Sequence, residues 1–365
     1  MSKSYVLRTC SADMTSHGGA FTWPASGTVE APDWSPAPHC GHGLHGFLNG
    51  CGIGSLADWN ESAKWLVVEI DSNSIVDLDG KVKFPKGDVV FCGTREEALA
   101  KLEELAPETK HMPVIGATRV AGDNMECHAG DRGTATAGID GKATAGNGGT
   151  ATAGAGGKAT AGIDGTATAG DNGTAIAGYR GKATAGNGGK ATAGDDGTAI
   201  AGDDGKATAG DDGTATAGDW GTATAGVHGK ATAGGEGTAI AGNDGKATAG
   251  DYGKATAGAR GTATAGVHGK ATAGDWGTAT AGARGTATAS ENGTATAGEE
   301  GTAIAGNEGT ATASERGSIH IRWWDSKAKR MRTTTGYVGE DGIQANIPYQ
   351  CDKEGKLIPE TKGVE

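Results

Sequence analysis

The chain has 365 residues, 69 of them glycine, with aromatic residues at 5% and a formal charge of −12. That charge argues against binding nucleic acid or an anionic membrane surface by bulk electrostatics. No apolar run approaches a membrane span, and residues 1–8 lack the apolar stretch of a signal peptide, so cytoplasm is the expected compartment and the six cysteines (Cys10, Cys40, Cys51, Cys92, Cys127, Cys351) are expected as thiols.

Residues 1–116 read as a small α+β domain. Residues 5–8 form a first strand, and residues 18–38 are loop-rich, with turn signals at Trp23-Pro24 and Trp34-Ser35-Pro36. Residues 64–70 make a second strand. Residues 75–84 alternate on both sides of Asp79-Gly80, a strong hairpin signal, and residues 89–92 add a further strand. Thr94 and Glu97 have the spacing of a capping box, and Ala98, Leu102 and Leu105 fall on one face of the helix that follows, before Pro107.

From 117 a degenerate repeat begins, and over 133–316 an eight-residue unit, Gly-[Thr/Lys]-Ala-[Thr/Ile]-Ala-[Gly/Ser]-x-x, recurs 23 times without insertion or deletion. A period this strict predicts a solenoid, because one unit is too small to bury a core alone. The four central residues alternate. Alanine never varies at the third and fifth positions, while the Thr positions also take lysine, so the Ala face is the inside. The Gly-x-x-Gly remainder is a turn, with glycine expected to supply positive φ at both ends. Two glycines in nearly every eight residues, at about 1 kcal/mol each, exclude helix. Glycine does not recur every third residue, which excludes collagen. Alanine could not fill the centre of a three-repeat coil, so a parallel β-solenoid with two repeats per coil is predicted.

After Arg316 the Ala positions become Ile319 and Ile321, followed by Trp323-Trp324 and a basic turn. This predicts a β-rich C-terminal cap over 317–351, with 352–365 a loose polar tail.

Few residues suggest chemistry. Cys40, His42, His45 and Cys51 are competent zinc ligands, but their spacing fits no established zinc module, and a loop of packed side chains is favoured. Arg8, His45 and Glu69, with Tyr5, are the catalytic candidates. Arg8 and the Gly43-Leu44-His45 step loosely resemble ADP-ribosyltransferase-like enzymes, which would make the domain a transferase. No phosphate loop, Ser-His-Asp order or carboxylate pair at motif spacing is present, and no cofactor is expected.

Thr-Ala-Thr occurs in ten repeats, Thr-Ala-Ile in four and Lys-Ala-Thr in nine. Such rows resemble ice-binding β-solenoids, in which matched hydroxyls and methyls order water; scattered lysines are expected to spoil the lattice. Glycine-rich calcium-binding rolls are similar in texture, but the corner residues here vary too freely for a ladder of ligands. The repeats carry 13 basic against 19 acidic residues, and the acids sit at turn corners, where solvation accounts for them. The corner aromatics Trp220, Trp276, Tyr179 and Tyr252 could anchor a protein partner.

The whole chain resembles a group of phage and bacterial proteins that join a small domain bearing a Cys-x-x-Gly-[Leu/Phe]-His step to an octapeptide Ala/Thr/Gly repeat and a short closing segment. The matching residues are Cys40-Gly41-His42-Gly43-Leu44-His45, the 23 repeats, and residues 337–343. Phage association would follow from that resemblance. The repeats are also similar to the β-roll heads of trimeric autotransporters. The expected function is structural and non-enzymatic: a capped solenoid that presents Thr/Lys faces, with Thr214, Thr216, Thr222 and Thr224 as an interaction surface, and that self-associates into a homo-oligomer through one face. Ice binding, and an enzymatic or metal-binding N-terminal domain carried on a spacer, are the alternatives.

Overall fold

Alternation in the early chain builds one sheet buried on both sides. Its strands are β1 (Lys3–Cys10), β2 (Gly27–Glu30), β3 (Leu44–Leu48), β4 (Lys64–Asp71), β5 (Val76–Asp77), β6 (Val82–Phe84) and β7 (Lys86–Gly93). They lie in the order β2-β7-β4-β1-β3-β6-β5, every neighbour antiparallel. Val6, Leu66 and Val68 pack with Leu44, Phe84 and Trp23 on one face. Leu7, Trp65 and Val67 pack on the other, with Phe47, against Ala98, Leu99 and Leu102 of helix α1 (Arg95–Leu105).

This computed structural model describes residues 2–16 and 21–360, and the chain divides into two compact units, 1–167 and 168–365. Local chemistry forms the elements that were expected from it. Asp79 (φ 57°) and Gly80 (φ 101°) make the two-residue β5–β6 turn, closed by Leu78 N–H donating to the Lys81 carbonyl at 2.9 Å. The Thr94 hydroxyl accepts from Glu97 N–H while the Glu97 carboxylate accepts from Thr94 N–H, so the capping box is closed at α1. The stretch expected to be loop differs. It contains β2, an edge strand that buries only Val29 and so shows little alternation, while residues 17–20 lie outside the described residues.

Within the first unit the initial coil departs from the repeat where it meets this domain. In the strand Thr118–Val120, Arg119 occupies the register position of Ala135. Its guanidinium is ion-paired with Glu103 of α1 and donates to the Thr109 carbonyl at 3.1 Å, so a salt bridge from the helix closes the end of the alanine stack.

The repeats pair in parallel at a spacing of sixteen residues, Thr134 against Thr150 and Lys142 against Lys158 in the first unit, Thr262 against Thr278 and Lys254 against Lys270 in the second. One coil is therefore two octapeptides. Alanines of the two sheets meet inside, at 0–4% exposure from Ala135 to Ala313.

The turns differ from expectation in an instructive way. Positive φ is not at the flanking glycines but at the second corner residue, whatever its identity: Trp220, Tyr252, His228, Glu308 and the other non-glycine residues there have φ between 53° and 60°. The flanking glycines serve close approach instead. A Cβ on Gly226 would lie 2.2 Å from Asp211 Oδ1 and 2.8 Å from Asp211 N, and one on Gly229 would lie 2.8 Å from the Ala225 Cβ. Asp and Asn at the first corner position are not there for solvation alone. Asp211 Oδ1 accepts from Val227 N–H at 2.8 Å, and Asp195, Asp203, Asp219 and Asn243 do the same for the amide sixteen residues on, which ties each corner to the next coil.

Left-handed backbone costs a non-glycine residue roughly 1–2 kcal/mol. Glu236 (φ 55°) is such a corner. Replacing Glu236 by glycine is expected to stabilise the protein by about 1 kcal/mol, read as a higher melting midpoint.

At the far end of the second unit Ile319 and Ile321 take the alanine positions at 0% and 1% exposure. The strands Ser318–Asp325 and Arg330–Tyr337 form an antiparallel hairpin, and Tyr349–Cys351 pairs with Leu357–Pro359. Ile343 and Tyr349 are buried beneath them. The stretch after 352, expected to be loose, is thus hydrogen-bonded as far as Glu360, whose N–H donates to the Pro348 carbonyl at 2.8 Å; 361–365 lie outside the described residues. Among the described residues no helix is long and apolar enough to cross a membrane.

Candidate functional site

A coil of two octapeptides sends alternate repeats to opposite sheets, and this sorts their side chains. Within the second unit, one sheet takes the strands beginning at 182 and every sixteenth residue to 310. Five of these nine are Thr-Ala-Thr and three carry lysine (Lys182, Lys230, Lys246). The other takes those from 174 to 302, with two Thr-Ala-Thr strands, four lysines (Lys190, Lys206, Lys254, Lys270) and isoleucine at 176, 240 and 304. In the first unit the split is complete: Thr134 and Thr150 begin strands in one sheet, Lys142 and Lys158 in the other.

On the Thr-rich sheet of the second unit the second outward position forms an unbroken column in register, Thr216, Thr232, Thr248, Thr264, Thr280, Thr296 and Thr312. Thr262, Thr278 and Thr294 stand beside it, and Thr310 follows but is covered, accepting from Gln350 Nε2 at 2.9 Å. Neighbours repeat at about 4.8 Å between coils and roughly 6.7 Å along a strand. The lysines expected to interrupt such rows leave three consecutive coils, 262 to 297, free of charge on this face.

The predicted interaction residues do not form one surface. Thr214 and Thr216 lie on this sheet and Thr222 and Thr224 on the other. Trp220 and Tyr252 sit on turns along one edge of the second unit, Tyr179 and Trp276 on turns along the opposite edge. Trp220, Tyr252 and Trp276 are 58–67% exposed, and Tyr252 stacks on His268 with ring centroids 4.8 Å apart.

The N-terminal domain holds a cleft of about 1290 Å³. It opens because β1 and β3 share only two register pairs, Val6 with Leu48 and Leu7 with Phe47, before β3 turns to pair with β6. Arg8 and His45 both line it, with Trp23, Cys40 and Lys81. The Arg8 guanidinium lies 5.3 Å from the Trp23 ring centroid and its Nη1 donates to the His45 carbonyl at 3.3 Å. Glu69 does not line the cleft. It shares a strand face with Trp65 and Val67, opposite that of Arg8, where it pairs with Lys3 at 2.7 Å and accepts from the Tyr5 hydroxyl at 3.3 Å. Arg8, His45 and Glu69 therefore cannot act on one substrate.

The four zinc candidates do not converge either. Strand β3 separates Cys40 and His42 from Cys51, and at about 3.3 Å per residue its five residues span roughly 16 Å. Cys51 is part of the cluster under α1. No group of three or more potential ligands is assembled among the described residues, and all six cysteines are free. The Lys81 ammonium, 3.1 Å from Cys40 Sγ, holds that exposed thiol below its usual pKa.

Burial, then the charges of Lys81, Arg8 and Lys83, lower the His45 pKa from 6.5 to about 4. Between those values the unfolded chain binds a proton that the folded domain refuses. Stability is therefore expected to fall as pH drops from 6.5 to 4, and His45→Gln to remove that segment of the dependence, as measured by denaturant unfolding at stepped pH.

Comparison with known proteins gives two partial likenesses. Residues 4–101 match a family described as "Domain of unknown function (DUF7666)". Over about a hundred residues the chain is similar to proteins named ice nucleation protein: 39% identical to one from Pseudomonas fluorescens and 40% to one from Pseudomonas syringae, and 36% to ice nucleation protein InaU from Pantoea ananas. These alignments cover 27–28% of this chain and 8–10% of the relatives, so the chain spans about a tenth of their length. The octapeptide solenoid is supported, whereas neither the phage and bacterial group nor the autotransporter heads suggested by the sequence is what these comparisons return. No solved structure matches.

Proposed function

We propose that the protein acts without enzymatic chemistry, as a β-solenoid whose Thr-rich sheet orders water and adsorbs to ice. The observation that carries this reading is the in-register column from Thr216 to Thr312, flanked by Thr262, Thr278 and Thr294. Threonine offers one hydroxyl and one methyl per site, and its β-branched χ1 is stiff, so a column repeats one geometry with little rotamer entropy to lose on contact. Lysine would add mobile, strongly hydrated charge, and it is kept away from three consecutive coils of this sheet while recurring on the other. The similarity to proteins named for ice nucleation supports the same reading.

The test is adsorption of the full chain to a growing ice surface. Enrichment in polycrystalline ice over a co-dissolved inert protein is expected, together with faceting of single crystals. Exclusion from ice to the same extent as the inert protein overturns the reading.

Self-association through the same sheet is a second reading, favoured by the absence of like-charge repulsion across those coils. It competes with the first, because a face buried in a dimer is withdrawn from water. Light scattering over a concentration series separates them, a monomer leaving the Thr sheet free.

A further inference from the structure

Among the described residues, four buried side-chain polar atoms have no hydrogen-bond partner: Arg8 Nε, Trp23 Nε1, His45 Nε2 and Arg119 Nε. The first three belong to residues lining one cleft. An unpaired buried polar group is costly, and native proteins tolerate few of them, so three around one cavity call for a common explanation. Trp23 is only 3% exposed, which leaves its indole little access to water.

The chemistry of the three atoms describes their missing partner. Trp Nε1 and Arg Nε are donors only, and Arg8 brings a full positive charge. Lys81 adds another cation to the lining, whereas the acidic Asp33 lies 3.5 Å from His42 and the Asp58 carboxylate accepts from Asn60 N–H. Two donors beside two cations suit an oxyanion. His45 differs. Burial and the neighbouring cations keep its ring neutral near pH 7, so one ring nitrogen carries the hydrogen and the other is an acceptor; Nε2 is the buried one without a partner, and with the hydrogen on Nδ1 it is the acceptor. Nε2 then offers a lone pair, and the partner of a lone pair is a hydroxyl. Phe21 and Trp59 add apolar wall, and the cleft is far larger than one anion requires.

We propose that this cleft binds a phosphorylated sugar, free or as part of a nucleotide, with the phosphate held by Arg8 and Trp23 and a sugar hydroxyl donated to His45. The proposal is independent of the ice-binding reading, since it rests on the N-terminal domain alone.

The experiment titrates the full-length protein with ribose 5-phosphate, AMP and inorganic phosphate, following the indole N–H resonance of Trp23, assigned with Trp23→Phe, and the heat of binding. Ribose 5-phosphate or AMP is expected to shift that resonance and to bind at least tenfold more tightly than inorganic phosphate. AMP binding more tightly than ribose 5-phosphate identifies the nucleotide as the source; equal affinities identify the sugar phosphate. Arg8→Gln is expected to weaken binding at least tenfold, and His45→Phe to bring ribose 5-phosphate down to the affinity of inorganic phosphate. No shift of the Trp23 resonance at millimolar ligand overturns the proposal in the unmodified protein, whatever the variants do. Equal affinity for inorganic phosphate and the sugar phosphates overturns the role of His45.

Discussion

Lysine at positions 264, 280 and 296 together is expected to abolish ice adsorption, lowering incorporation into polycrystalline ice by tenfold or more. The three threonines lie in one column, so the substitution removes adjacent hydroxyls and methyls at once. It also places ammonium groups on successive coils. At about 4.8 Å in water each adjacent pair repels by roughly 0.9 kcal/mol before screening, and the flexible chains splay and carry that down further. Exposed strand positions span only about 1 kcal/mol in intrinsic preference, so the fold should survive with a modestly lower melting midpoint. The control is the same triple change at Thr256, Thr272 and Thr288, in register on successive coils of the opposite sheet, where lysine already recurs at Lys254 and Lys270. Adsorption is expected to be unaffected there. Equal loss from both triples would mean that the two sheets do not differ in function.

Removing one partner of the Arg119–Glu103 pair is expected to cost about 3 kcal/mol, the largest effect on stability of any single polar substitution considered for this chain. Arg119 is 9% exposed and stands where the repeat has alanine, so Glu103→Gln leaves a guanidinium almost sealed from water with only the Thr109 carbonyl as a firm partner. Denaturant unfolding reads the loss, and hydrogen exchange at the strand Thr134–Ala137 should report the first coil opening before the rest. Changing both residues to methionine is expected to restore most of the stability, because the penalty comes from the unpaired charge. Arg284→Gln, at an ion pair with Glu300 that is largely in solvent, is expected to leave the unfolding midpoint essentially unchanged.

Much of the fold was legible because it is set locally. The Asp79-Gly80 turn, the Thr94–Glu97 capping box and the invariant alanines each state their geometry within a few residues, and the small volume of alanine fixes two repeats per coil. What escaped the sequence depends on residues sixteen apart or on strands far apart in the chain. Taken one at a time, the octapeptides hide the sorting of Lys254 and Lys270 from Thr262 and Thr278; reading alternate copies would have exposed it. Asp211 looked like a solubilising corner because its acceptor role is visible only against Val227. Arg119 lies in the degenerate start of the repeat and shows no role in the sequence, because its partner Glu103 lies in a different element. The cleft was partly anticipated through Arg8 and His45. Glu69 was misplaced because the sequence gives no sign of which face of β4 meets the helix, and Trp23 was passed over as a turn residue.

The pairing of octapeptides into coils also constrains how such a gene can change length. Slippage that adds or removes one octapeptide keeps every turn and every buried alanine, yet it transfers each later strand to the opposite sheet. Beyond the breakpoint, threonine columns would run on from lysine columns and lysine columns from threonine columns. Steps of two octapeptides avoid the exchange. The fold therefore tolerates either step, while any trait that depends on one sheet is inherited only through the even ones.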